Sequence, residues 1–144
     1  MGHEALMYGV ILGATGSGDN FTLLHDLNAQ VLQSLPEDDD HPWVDRSIFA
    51  LPGAYPQGRY RQQPIHFGLS IKDEPYDQDG FLETWLMKFE NVLRQLYWFS
   101  TKLHIDRDFG NCEIQSTASE HARQGLRADP PQPVTSWTRE QRTS

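Results

Sequence analysis

Apolar and polar positions change rhythm several times along this chain, and each change marks an element. Residues 5–12, ALMYGVIL, are almost unbroken in apolar character, which predicts a strand of the buried kind. Between positions 20 and 35 the apolar residues Phe21, Leu24, Leu27, Val31, Leu32 and Leu35 recur at helical spacing, and Pro36 ends that helix. An acidic loop follows, then a short strand candidate at 46–53 and a turn. Residues 59–72 alternate at Ile65, Phe67, Leu69 and Ile71. The strongest helical stripe lies at 81–98, where Leu82, Trp85, Leu86, Phe89, Val92, Leu93 and Leu96 share one side. Alternation returns at 98–106 with Phe99, Leu103 and Ile105, and CEIQS at 112–116 adds a short last strand.

The order β-α-β-β-α-β predicts an α+β domain. Its economical arrangement is a ferredoxin-like sandwich, with two helices on one face of a sheet of four or five strands. The helices would cover an apolar face. The other face would carry His66, Ser70 and Lys72 from one strand and Ser100, Lys102, His104 and Asp106 from another, a surface fit for solvent or recognition. Beyond Ser116 the periodicity fades and prolines 130, 131 and 133 appear, so residues 1–116 read as one domain and 117–144 as a flexible tail. Trp137 stands out within that tail as a packing residue or a binding anchor.

Composition narrows the function classes. A chain of 144 residues with four tryptophans and 38% hydrophobic residues can bury a core. Its mean hydropathy of -0.61 and lack of a long apolar run exclude a helical span. The first residues, with Glu4 and no basic region, do not read as a secretory signal. Cys112 is the single cysteine, so no intrachain disulfide or cysteine-based zinc site can form, which suits a cytoplasmic location. The net charge of -8 and pI near 5.1 make the chain a poor ligand for nucleic acid and a suitable partner for a basic protein surface. Among the acidic residues only Glu120, Asp129 and Glu140 lie beyond Ser116, so the acid belongs to the domain.

The stretch GVILGATGSGDN, residues 9–20, is the first candidate for chemistry. Gly13 and Gly18 fall in phosphate-loop spacing, but Asp19 and Asn20 stand where the lysine and hydroxyl belong. A carboxylate in place of the ammonium repels phosphate. The dinucleotide spacing fails as well, because Phe21 takes the place of its third glycine. The loop reads as a turn, with Asp19 capping the helix after it.

Two constellations remain. Glu37, Asp38, Asp39 and Asp40, with Trp43 and Asp45 beside them, form either a solvated loop or a contact element for a basic partner, the tryptophan serving as anchor. His104, Asp106 and Asp108 alternate along one strand, close enough for acid-base work or a metal, or else as ordinary acids at a strand end. His104 and Asp106, together with His66, Lys72 and Lys102, mark an alternative binding face. Trp85, Phe89, Tyr97 and Trp98 have the spacing of core residues. No nucleophile-elbow, cysteine-histidine or zinc-protease pattern is present, so the expectation is a binding protein without catalytic residues, metal or cofactor.

The segments RSIFALPG, YRQQPIHFGLSIK and WLMKFENVLRQLYWFSTKLHID together resemble bacterial polymorphic-toxin immunity proteins, in particular the immunity protein 52 family, over residues 8–114. The resemblance implies a cytoplasmic protein that binds the C-terminal toxin domain of a cognate effector, often one delivered by type VI secretion. It also implies protection of the producing cell and its sisters. The toxin expected for this family is a nuclease with a restriction-endonuclease-like fold, whose basic cleft would complement an acidic inhibitor. Stoichiometric occlusion is the expected mechanism, by a monomer or a homodimer, with no membrane or nucleic acid as partner. A small enzyme using His104, Asp106 and His66, or an adaptor that loads the effector, stands as the alternative.

Overall fold

The structure is a computed structural model that describes residues 4–13, 20–38, 44–50, 64–72, 80–107 and 110–143. Strand β1 (Glu4–Leu12) lies inside a six-stranded sheet. Helix α1 (Asn20–Ser34) follows, then a single 3₁₀ turn (Arg46–Ile48), β2 (Phe49–Ala50) and β3 (Ile65–Lys72). Helix α2 (Gly80–Leu93), β4 (Ser100–Arg107), β5 (Gly110–Ala118), α3 (Glu120–Leu126) and β6 (Trp137–Thr143) complete the order. The strands stand as β2-β3-β1-β4-β5-β6, and every neighbouring pair is antiparallel.

Alternation along each strand decides what the sheet buries. Ala5, Met7 and Ile11 of β1 align with Phe67 and Ile65 of β3 and with Leu103 and Ile105 of β4, all on one side. Cys112, Ile114 and Ala118 of β5 extend this face. Trp85, Phe89, Val92 and Leu93 of α2 join the same core, as do Leu32 of α1 and Leu126 of α3. The Phe67 and Phe89 rings meet at 4.7 Å, and Trp85 stacks on Phe89 at 5.2 Å. Gly9 sits in the middle of this packed face, where a Cβ would run into the Lys102 carbonyl and the Phe67 ring. Glycine is what allows β1 and β4 to approach there. Trp85, Phe89 and Trp98 are core residues, as their spacing predicts.

Several boundaries differ from the sequence reading. Helix α2 stops at Leu93, short of Trp98, because Leu96 and Trp98 turn under the sheet and are fully buried. The Trp98 indole N–H donates to the Leu93 carbonyl at 2.9 Å, and the same carbonyl accepts the Leu96 N–H at 3.1 Å, so this helix-end group is doubly held. The strand expected at 46–53 begins as the 3₁₀ turn, and its residues 51–53 lie outside the described residues, as do 59–63 of the next strand. Asp19, read as a helix cap, also lies outside them.

The count of elements is larger than expected. Among the described residues there are three α-helices and six strands, where two helices and four or five strands were predicted. The segment after residue 116 is not a loose tail through residue 143. Ser119 caps α3 by accepting from the Ala122 N–H at 3.1 Å, and Ala122 and Leu126 are buried. The proline-rich stretch that follows is pinned by Val134, fully buried, whose N–H donates to the Leu96 carbonyl at 3.0 Å. Strand β6 then pairs with β5 along its length. Its pattern escapes notice because an edge strand here places one residue, the half-buried Trp137, against the core. Trp137 packs on Trp98 at 5.4 Å, and the Arg94 guanidinium lies over its ring.

Candidate functional site

Among the described residues the helices cover one face of the sheet and leave the opposite face open. On that face none of the described side chains is buried. At its centre lie three residues of β1 that alternate with the core set, namely Leu6, Tyr8 and Val10, with Leu6 40% and Tyr8 38% exposed. The run that reads as a fully buried strand is therefore split between core and surface.

The register builds the surroundings of Tyr8. Gly68 of β3 pairs with Tyr8 on one side and His104 of β4 on the other. With no side chain on Gly68, that flank of the tyrosine is uncrowded. On the β4 side the His104 ring stacks on Tyr8, with centroids 5.1 Å apart and planes 17° from parallel. One step along the strands, Asp106 pairs with Leu6, and its Oδ2 accepts the Tyr8 hydroxyl at 3.2 Å. The phenol is held above its ordinary value of 10.0. Shielding from water is the larger cause, followed by the Asp106 carboxylate, which opposes the phenolate and accepts a hydrogen bond from the neutral phenol.

Of the residues proposed as an alternative binding face, His66, Lys102, His104 and Asp106 share this surface. Lys102 and His66 both pair with Val10, so the three form one row across β4, β1 and β3. Lys72 occupies the end of β3 opposite Glu4. Asp108 lies outside the described residues, so the His104, Asp106 and Asp108 set is described at its first two members only. Among the described residues no group of three or more His, Cys, Asp or Glu is placed to hold a metal ion. Sequence reading assigned the polar flanks but missed Tyr8, which joins them. The signal available was a tyrosine, with its polar tip, in mid-strand of an otherwise aliphatic run.

The acidic candidates fare differently. Asp39, Asp40 and Trp43 lie outside the described residues. Glu37 and Asp38 are exposed, and Glu37 is paired with Arg46 at 3.3 Å. Asp45 is only 6% exposed, and its carboxylate accepts from the Ser47 N–H at 3.0 Å and from the Ser47 hydroxyl. It caps the 3₁₀ turn and presents little to a partner. An open groove of about 360 Å³ joins Glu37 and Asp38 to Leu69 and Ser70 of β3, bringing the start of the acidic segment beside the sheet.

No protein family, curated protein or solved structure matches the chain. No helix among the described residues is long and apolar enough to cross a membrane.

Proposed function

We propose that this chain is an immunity-type protein, a stoichiometric inhibitor that binds and occludes a cognate secreted antibacterial toxin. The observation that carries the reading is the open sheet face. Leu6 and Tyr8 are exposed at its centre, and Lys102, His104, Asp106 and His66 surround them. An aromatic anchor ringed by polar side chains on an open surface is suited to contact with another protein. Burial of Asp45 moves the preferred contact from the acidic segment to this face, with Glu37 and Asp38 acting at its border.

The net charge of -8 supports a basic partner, and a nuclease cleft is one. The resemblance to the immunity protein 52 family supports a toxin with a restriction-endonuclease-like fold, type VI delivery and action in the producer's cytoplasm. The strand order β2-β3-β1-β4, with α1 and α2 as crossovers, supports reading the first four strands as a ferredoxin-like unit extended by β5, α3 and β6.

A second reading rests on the bond between Tyr8 and Asp106 beside His104, which a small enzyme would use for proton transfer. Co-expression with the toxin domain of the effector encoded beside this chain separates the readings. Survival with a co-purifying 1:1 complex supports immunity by occlusion. Survival without a complex, abolished by His104→Ala in a folded protein, supports the enzyme. A complex without protection indicates an adaptor, and no protection with no complex removes the leading reading.

A further inference from the structure

Strand β6 forms one edge of the sheet, and Thr138 through Arg142 are all exposed. Which backbone groups it leaves unpaired follows from one bond. The Ser119 N–H donates to the Ser136 carbonyl at 3.1 Å, and these residues continue the β5–β6 register. Since backbone groups alternate in direction along a strand, Thr138, Glu140 and Arg142 direct theirs toward β5. Trp137, Arg139, Gln141 and Thr143 direct theirs away from the sheet.

We propose that this edge pairs antiparallel with the same edge of a second copy, about a two-fold axis at Gln141, to give a continuous twelve-stranded sheet in a dimer, counting the 6-stranded sheet twice. In that register Gln141 faces its own copy and Arg139 faces Thr143, so the outward backbone groups bond to one another. Glu140 then faces Arg142 of the second copy, and Arg142 faces its Glu140. These two pairs occupy the positions without backbone bonds, where opposite side chains stand closest. Neighbouring registers lack this match. An axis at Glu140 sets glutamate against glutamate, and an axis at Arg142 sets arginine against arginine.

Within one copy, neither Glu140 nor Arg142 has an ion pair among the described residues, whereas Arg139 is already held by Glu90 at 3.1 Å on the helical side. Charges on an edge strand ordinarily discourage pairing. Here their order makes the chain complementary to itself. The surface is the edge of the sheet and not its open face, so this inference stands apart from the toxin reading.

Sedimentation equilibrium of the full chain over a micromolar range tests it. The expected result is a concentration-dependent dimer. Arg142→Glu alone and Glu140→Arg alone should each weaken it by about tenfold or more, because both pairs become repulsive. An equimolar mixture of the two variants should recover the dimer, since opposite charges then face each other again. Gln141→Pro, which removes an outward N–H and leaves the bonds to β5, should also abolish it, with circular dichroism confirming the fold. A chain that stays monomeric, a dimer indifferent to these variants, or single variants whose mixture stays monomeric would overturn the proposal.

Discussion

The carboxamide of Asn28 closes both backbone groups of Tyr97. It accepts the Tyr97 N–H at 2.7 Å and donates to the Tyr97 carbonyl at 2.9 Å. Asn28 is 6% exposed, so these bonds anchor the link between α2 and β4 to α1 from inside the protein. Asn28→Ala leaves both Tyr97 groups unpaired and is expected to cost about 2–3 kcal/mol in urea unfolding. A loss near zero would mean that water replaces the side chain without penalty. Tyr8 offers a residue-scale test on the opposite side of the sheet. Its pKa is raised by shielding from water and then by the Asp106 carboxylate, so the stability linked to the neutral phenol is present below the ordinary phenol value and is lost as pH climbs through the raised one. Absorbance titration should find one tyrosine ionising later than a free phenol, and Asp106→Asn should bring it back toward the ordinary value. An unchanged titration in that variant would remove Asp106 as a cause.

Elements with strong periodicity were legible, and those fixed by distant partners were not. The apolar stripe of α2 locates the helix, yet its end at Leu93 is set by Trp98 reaching back to the Leu93 carbonyl and by Asn28 holding Tyr97. No local pattern encodes those contacts. The C-terminal segment fails for a related reason. Its buried residues are few, Ala122 and Leu126 on α3 and Val134 beyond it, and they join a core whose other members lie far away in sequence. Ending the chain at Ala118 tests how much this segment matters. A loose tail could be lost without effect, whereas removing buried Leu126 and Val134 is expected to cost about 3–6 kcal/mol at the usual value for such side chains. Thermal or urea unfolding of the shortened chain, compared with the full one, measures that difference.

At the scale of the whole molecule the described residues give the sheet one covered face and one open face, and the candidate site lies on the second. The flanking residues His66, Lys102, His104 and Asp106 were legible because alternation alone sorts them away from the core. Tyr8 was not, since an apolar run reads as buried until its neighbours show that only one side has helices. The acidic segment was legible as charge, but the role of Asp45 as a cap depends on the turn it starts. This division of labour predicts separable kinetics in the toxin complex. Tyr8→Ala removes the central anchor and should raise the dissociation rate by about 30-fold or more, as truncation of a hot spot does. Asp38→Lys acts on long-range charge and should slow association several-fold while weakening its salt dependence, with dissociation nearly unchanged. Stopped-flow association and competition dissociation at two salt concentrations measure both. If Tyr8→Ala left dissociation unchanged while Asp38→Lys accelerated it, the contact would be the acidic segment, and the open face would have to serve something other than the toxin.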